Sequence, residues 1–128
     1  MKLAPRALPE LLAGRRIASV TGTNGKTTTT HFLTAAVRAG TSDSQRSVVT
    51  NADGANLHHG IVSALGQAPD ATIAVLETDE RVVADVVAMG SPEVLVLLNF
   101  SRDQLDRNHE LTFLGLSLIH ISEPTRPY

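Results

Sequence analysis

The sequence predicts an α/β fold: a parallel sheet with helices on both faces. Four short apolar runs rich in β-branched residues, at 17–20, 47–50, 72–76 and 94–98, alternate with segments of helical period. Runs without polar interruption, such as Val94-Leu95-Val96-Leu97-Leu98, suit strands covered on both sides. A glycine-containing loop, Thr21-Gly22-Thr23-Asn24-Gly25-Lys26-Thr27, joins the first strand to the first helix, where a phosphate-binding loop belongs.

The elements follow in order. Arg15-Arg16-Ile17-Ala18-Ser19-Val20 reads as the first strand, and Phe32, Leu33, Ala36 and Val37 recur at helical spacing after a run of threonines. Gly40 ends that helix, and residues 40–45 read as a polar loop before the second strand, which Asn51 closes. Another helix ends near Gly66. The third strand closes at Glu77, and the stripe Val82, Val83, Val86, Val87 marks a helix ended by Gly90-Ser91-Pro92. The fourth strand closes at Asn99. No internal repeat or low-complexity segment is visible. In such a sheet ligands bind outside the carboxyl ends of the strands, so Asn51, Glu77 and Asn99 should face the loop.

Length and composition narrow the function classes. A chain of 128 residues fills one small domain and buries roughly two thirds of its unfolded surface. The net charge of −2, without basic clusters, leaves no footprint for nucleic acid. No run of eighteen apolar residues and no signal peptide occur, so a chain without a transmembrane segment, in the cytoplasm, is expected. The absence of cysteine agrees with a reducing compartment.

The loop carries the chemistry. Gly22 and Gly25 allow a tight turn that aims N–H groups inward, while the following helix presents its positive end. Lys26, the expected catalytic residue, reaches the outer phosphates, and the Thr27 hydroxyl is a candidate Mg²⁺ ligand. The general Walker pattern is not met, because Val20 stands where its first glycine would be. A shorter loop replaces it, with Thr23, Asn24, Gly25, Lys26, Thr27 and Thr28 as the nucleotide-binding set. A plain turn capped by Thr27 or Thr28 is the structural alternative, although it needs no lysine there.

Glu77 is the second candidate Mg²⁺ ligand, since a hard cation bridging phosphates takes carboxylate and hydroxyl oxygens. With Asp79 and Glu80 it also fits an acidic first helical turn capped by Thr78. Asn99 and Arg102 complete the cofactor-binding set, because a guanidinium at the phosphate edge neutralises transferred charge. Ser101-Arg102-Asp103-Gln104 equally reads as a capping box. Gly54-Ala55-Asn56 is either a helix start capped by Asn56 or a backbone pocket for substrate. His31, His58 and His59 read as solvated positions.

The loop resembles that of the Mur ligase superfamily, ATP-dependent enzymes that join amino acids or ammonia to carboxylates through an acyl-phosphate. Residues 51–57, 77–80 and 99–107 are similar to successive motifs of the MurT family within it, and the resemblance runs from about Pro9 to Glu110. Gln104 stands where amino-acid-adding Mur ligases usually have His. The resemblance implies a central ATPase domain using ATP and Mg²⁺, a GatD-like glutaminase partner, and lipid II at the inner membrane face as substrate. The implied reaction is amidation of the D-glutamate α-carboxylate to D-isoglutamine. Another Mur-type amide ligase, or a nucleotide-binding module without ligase activity, are the alternatives.

By this resemblance residues 1–115 are expected to form a partial, truncated central domain. Residues 116–128 instead resemble the in-frame translation of a sequencing-library adapter and are expected to be a non-native tail.

Overall fold

A computed structural model describes residues 6–52 and 56–99. Its four strands are β1 (Arg16–Thr21), β2 (Val48–Thr50), β3 (Ile73–Glu77) and β4 (Val94–Leu97). They form one sheet, in the order β2-β3-β1-β4, and every pairing is parallel. The parallel α/β class expected from the apolar runs is therefore the observed one. Five helices accompany the strands among the described residues: α1 (Ala7–Leu12), α2 (Lys26–Ala39), α3 (Ser44–Ser47), α4 (His58–Gly66) and α5 (Val83–Gly90).

Side-chain alternation along the strands divides the interior into two layers. Ile17, Val49, Ala74 and Leu76 enter one core with Leu8 and Leu12 of α1, Ile61 and Leu65 of α4, and Val86 of α5. The opposite face lies against α2, which packs over β1, β2 and β3. Register explains the placement of the third-strand acid. Leu76 enters the α1/α4/α5 core, so Glu77, one residue on, turns to the α2 side.

Several elements differ from expectation for identifiable reasons. α1 precedes the first strand, and its Leu8 and Leu12 are too few to show a period in sequence. Residues 40–45 are not wholly a loop, since α3 starts at Ser44 and delays β2 to Val48. α2 was expected to bury Phe32, Leu33, Ala36 and Val37; its buried residues are instead Thr30 and Thr34, while Phe32 is 73% exposed. Each buried threonine donates to the carbonyl four residues back, Thr30 Oγ1 to Lys26 O and Thr34 Oγ1 to Thr30 O, both at 2.6 Å. Their hydroxyls therefore need no partner outside the helix, and small side chains let α2 lie close to the sheet.

Arg15, read as the first residue of a strand, instead fastens the helical layer. Its guanidinium donates to the carbonyls of Leu11 (2.7 Å), Ala68 (3.0 Å), Ala71 (2.8 Å) and Leu65 (3.3 Å). These acceptors include carbonyls near the ends of α1 and α4, and two of them, Leu65 O and Ala68 O, also accept a backbone N–H at 3.1 Å. Burial lowers the Arg15 pKa from its ordinary value. No helix among the described residues is long and apolar enough to cross a membrane.

Candidate functional site

All four strands run the same way, so their carboxyl ends share one edge of the sheet. The loop from Gly22 to Gly25 leaves β1 there. Gly22 has φ 141°, and a Cβ on it would stand 2.5 Å from Leu98 Cβ, so only glycine lets the loop pass this close to the end of β4. Gly25, at φ 88°, is the N-cap of α2. Gly25 thus takes the cap position that the plain-turn alternative gave to Thr27 or Thr28, leaving their hydroxyls out of that role. Main-chain bonds pin the loop to the fourth strand: Leu98 N–H donates to Thr21 O (2.8 Å) and Thr23 N–H to Asn99 O (2.7 Å).

The first turn of α2 directs toward this edge the N–H groups that a helix leaves without internal acceptors. Lys26 opens that turn. Its ammonium donates to the Gly22 carbonyl and forms an ion pair with Glu80 at 3.2 Å, with little of either side chain exposed. Thr27 Oγ1 donates to Glu77 Oε1 at 2.9 Å. Glu77 is 2% exposed, and its other carboxylate oxygen, Oε2, is buried without a hydrogen-bond partner. A buried, unpaired carboxylate oxygen is costly unless it meets a cation or donor, and this one lies beside a threonine hydroxyl at a helix N-terminus. The pair fits Mg²⁺, which keeps several waters and takes few protein oxygens when phosphates supply the rest. No group of three or more His, Cys, Asp or Glu suited to a metal occurs among the described residues.

The acids after β3 are not a helical first turn, because α5 begins only at Val83. Thr78 does not cap it. Its hydroxyl is buried, lies 2.7 Å from Ser19 Oγ and donates to Val20 O at 3.2 Å, tying β3 to β1 below the loop. Asp79 Oδ1 accepts the Arg81 backbone N–H (2.8 Å) and Nε (2.9 Å). Burial pushes the Asp79 pKa upward, but these two hydrogen bonds and the charges of Arg81 and Lys26 outweigh it, leaving the group below its ordinary value. Glu80 turns inward to Lys26, a partnership that the sequence did not indicate.

Asn51 was expected to close β2 and to face the loop. It is 3% exposed and clasps the main chain of Glu77: Nδ2 donates to Glu77 O at 2.8 Å, and Oδ1 accepts Glu77 N–H at 2.7 Å. Asn56 is not a helix cap; Leu57 holds that position, and the Asn56 carbonyl accepts Asp79 N–H at 2.9 Å. His58 pairs with Asp85 at 2.8 Å, while His31 and His59 are exposed. Gly54, Ala55, Ser101, Arg102 and Gln104 lie outside the described residues. The structure thus gathers Thr23, Gly25, Lys26, Thr27, Glu77 and the Asn99 main chain at one edge. Asn24 and Thr28 are exposed beside them.

A four-stranded parallel sheet, with a glycine-containing loop at the carboxyl end of its first strand and a buried acid at the end of the neighbouring strand, defines an α/β domain of the class whose ligands bind at that edge. Residues 20–113 match the model of the Mur ligase middle domain. The chain belongs to the Mur ligase family. It is 36% identical over 100 residues to the MurT subunit of lipid II isoglutaminyl synthase (glutamine-hydrolyzing) from Staphylococcus aureus strain COL, covering 77% of this chain and 22% of that protein. The MurT subunit of Streptococcus pneumoniae R6 is 35% identical over 108 residues, 81% of this chain and 23% of its own. A UDP-N-acetylmuramate–L-alanine ligase of Saccharopolyspora erythraea is 36% identical over 104 residues, 80% of this chain and 19% of its own. The chain thus spans about a fifth of the length of these relatives.

Proposed function

We propose that this chain is the ATP-handling part of a peptidoglycan ligase of the MurT kind. The reading rests on one observation above the rest: Thr27 and Glu77 meet at 2.9 Å beside Lys26, with a second carboxylate oxygen buried and unpaired. The loop N–H groups and Lys26 would hold the β- and γ-phosphates of ATP, and Thr27 and Glu77 would hold Mg²⁺. Bound Mg²⁺ supplies positive charge that offsets the phosphate oxygens as the terminal phosphoryl group transfers. The positive end of α2 and the Lys26 ammonium are fixed by the fold before the reaction, so little reorganisation is needed as charge shifts.

In the complete protein the phosphoryl acceptor is proposed to be the α-carboxylate of D-glutamate in lipid II. Ammonia from a GatD-like glutaminase partner would then displace phosphate to give D-isoglutamine, with the work done in the cytoplasm. Identity to two MurT subunits supports this choice. The L-alanine-adding relatives, one of them 38% identical over 109 residues, support a second reading as an amino-acid-adding Mur ligase. Arg102 and Asn99 are proposed to complete the nucleotide site.

Calorimetric titration of Mg·ATP into the chain tests the core of the proposal. Lys26→Ala should weaken binding by about tenfold or more, equivalent to roughly 1.4 kcal/mol, in a variant shown by circular dichroism to be folded, since it also leaves Glu80 without its ion-pair partner. Equal affinity in the variant would overturn the phosphate-loop reading. For the substrate, the complete protein given glutamine, its glutaminase, ATP and lipid II should release isoglutamine. Incorporation of L-alanine into UDP-N-acetylmuramate instead would select the second reading.

A further inference from the structure

We propose that Asn51 is a positioning residue that holds Glu77 in register for Mg²⁺, acting through the Glu77 main chain. The proposal rests on the nucleotide–metal reading of the site and adds to it a residue outside the phosphate loop.

The geometry begins with the end of a strand. β2 pairs with β3 as far as Thr50 opposite Val75, and no backbone pairing of β2 reaches Glu77. Asn51 supplies the missing edge with its side chain. A carboxamide carries one acceptor and two donors on a rigid plane, matching the N–H and C=O of a single residue as a neighbouring strand would. Both bonds are made, at 2.7 and 2.8 Å, by a side chain within a 3% exposed residue. Glu77 is thereby held on both sides, by β1 through the Val20 pairing and by the Asn51 carboxamide.

The fixed main chain aims the carboxylate. Oε1 takes the Thr27 hydroxyl and Oε2 stays buried without a partner, an arrangement that a few tenths of an ångström of backbone drift would spoil. A second tie, Asp79 N–H to Asn56 O at 2.9 Å, fastens the same two post-strand segments farther along. The segment after β2 therefore braces the segment carrying the acid. Residues that orient a metal-binding side chain without touching the metal commonly govern affinity for it as strongly as the ligands do.

The test measures nucleotide affinity of the 128-residue chain with Mg²⁺ and with EDTA, for wild type, Asn51→Ala, Glu77→Ala and the double variant. Asn51→Ala should lose about tenfold or more of the affinity gained from Mg²⁺, with affinity in EDTA unchanged. In the Glu77→Ala background the same change should have no further effect on the Mg²⁺-dependent gain, because its route runs through Glu77. Should Asn51→Ala fail to fold, Asn51→Asp carries the same test. It keeps an oxygen opposite the Glu77 N–H and loses the donor to the Glu77 carbonyl, so a smaller loss of the Mg²⁺ gain is expected. A folded variant with the full Mg²⁺ gain, or losses that add in the double variant, would overturn the positioning role and leave the nucleotide site standing. A wild-type chain whose nucleotide binding is indifferent to Mg²⁺ would overturn the metal reading and this proposal together.

Discussion

Lys26 is shared between a carboxylate and a carbonyl, so a phosphate that approaches it meets a competitor already in place. Glu80, 9% exposed, is that competitor, and its charge also repels phosphate. Glu80→Gln should therefore tighten Mg²⁺-free nucleotide binding by about a fewfold, opposite in sign to Lys26→Ala, as equilibrium binding of a fluorescent ATP analogue would read out. Unchanged or weaker binding would mean that Glu80 orients Lys26 rather than restraining it. Asp79 gives a prediction in pH. Its pKa is lowered from 3.8, so its contribution to stability is complete above that value and is lost as pH falls through the lower folded value. The melting gap between wild type and Arg81→Ala should be widest above pH 3.8 and should close below it. Lys26, Thr27 and Glu77 were legible because their types and spacings point to phosphate and metal. Asn51 and the inward turn of Glu80 were not, since both depend on where two strands end relative to each other.

At the scale of elements, the Arg15 side chain ties the connection before β1 to α1 and to the end of α4. Arg15 reaches four carbonyls, and no smaller residue spans them. Arg15→Ala should destabilise by about 2 kcal/mol, and Arg15→Lys should recover little, because a single ammonium lacks the planar fork of donors. Thermal melting decides it; full recovery by lysine would reduce the contact to charge alone. Parallel strands and their order of appearance were readable from unbroken apolar runs such as residues 94–98, and helix ends from Gly40, Gly66 and Gly90. The inner face of α2 was not. Hydrophobic periodicity assigns Phe32 and Ala36 to the core, whereas close packing on the sheet selects Thr30 and Thr34, whose hydroxyls are satisfied within the helix.

Among the described residues the fourth strand forms a thinly covered margin of the sheet. β4 is an edge strand, pairing among the described residues with β1 alone, and Val94 and Leu97 are 48% and 43% exposed. An edge strand with apolar side chains in solvent invites pairing with another chain. The family match continues to residue 113, across Phe100, Leu105, Leu111 and Phe113, so residues 100–113 belong to the same domain by sequence. Residues 116–128 fall beyond that match. Burying one large apolar side chain contributes roughly 1.5–3 kcal/mol, against a net domain stability of about 5–15 kcal/mol. Three chain lengths separate these contributions. A chain ended after residue 115 should melt within a degree or so of the 128-residue chain, because the last thirteen residues are proposed to be foreign to the fold. One ended after residue 99 should melt markedly lower and self-associate in sedimentation experiments. A substantial loss on removing residues 116–128 would make that tail part of the domain. Equal stability of the 99- and 115-residue chains would make the β4 margin the domain's own finished surface.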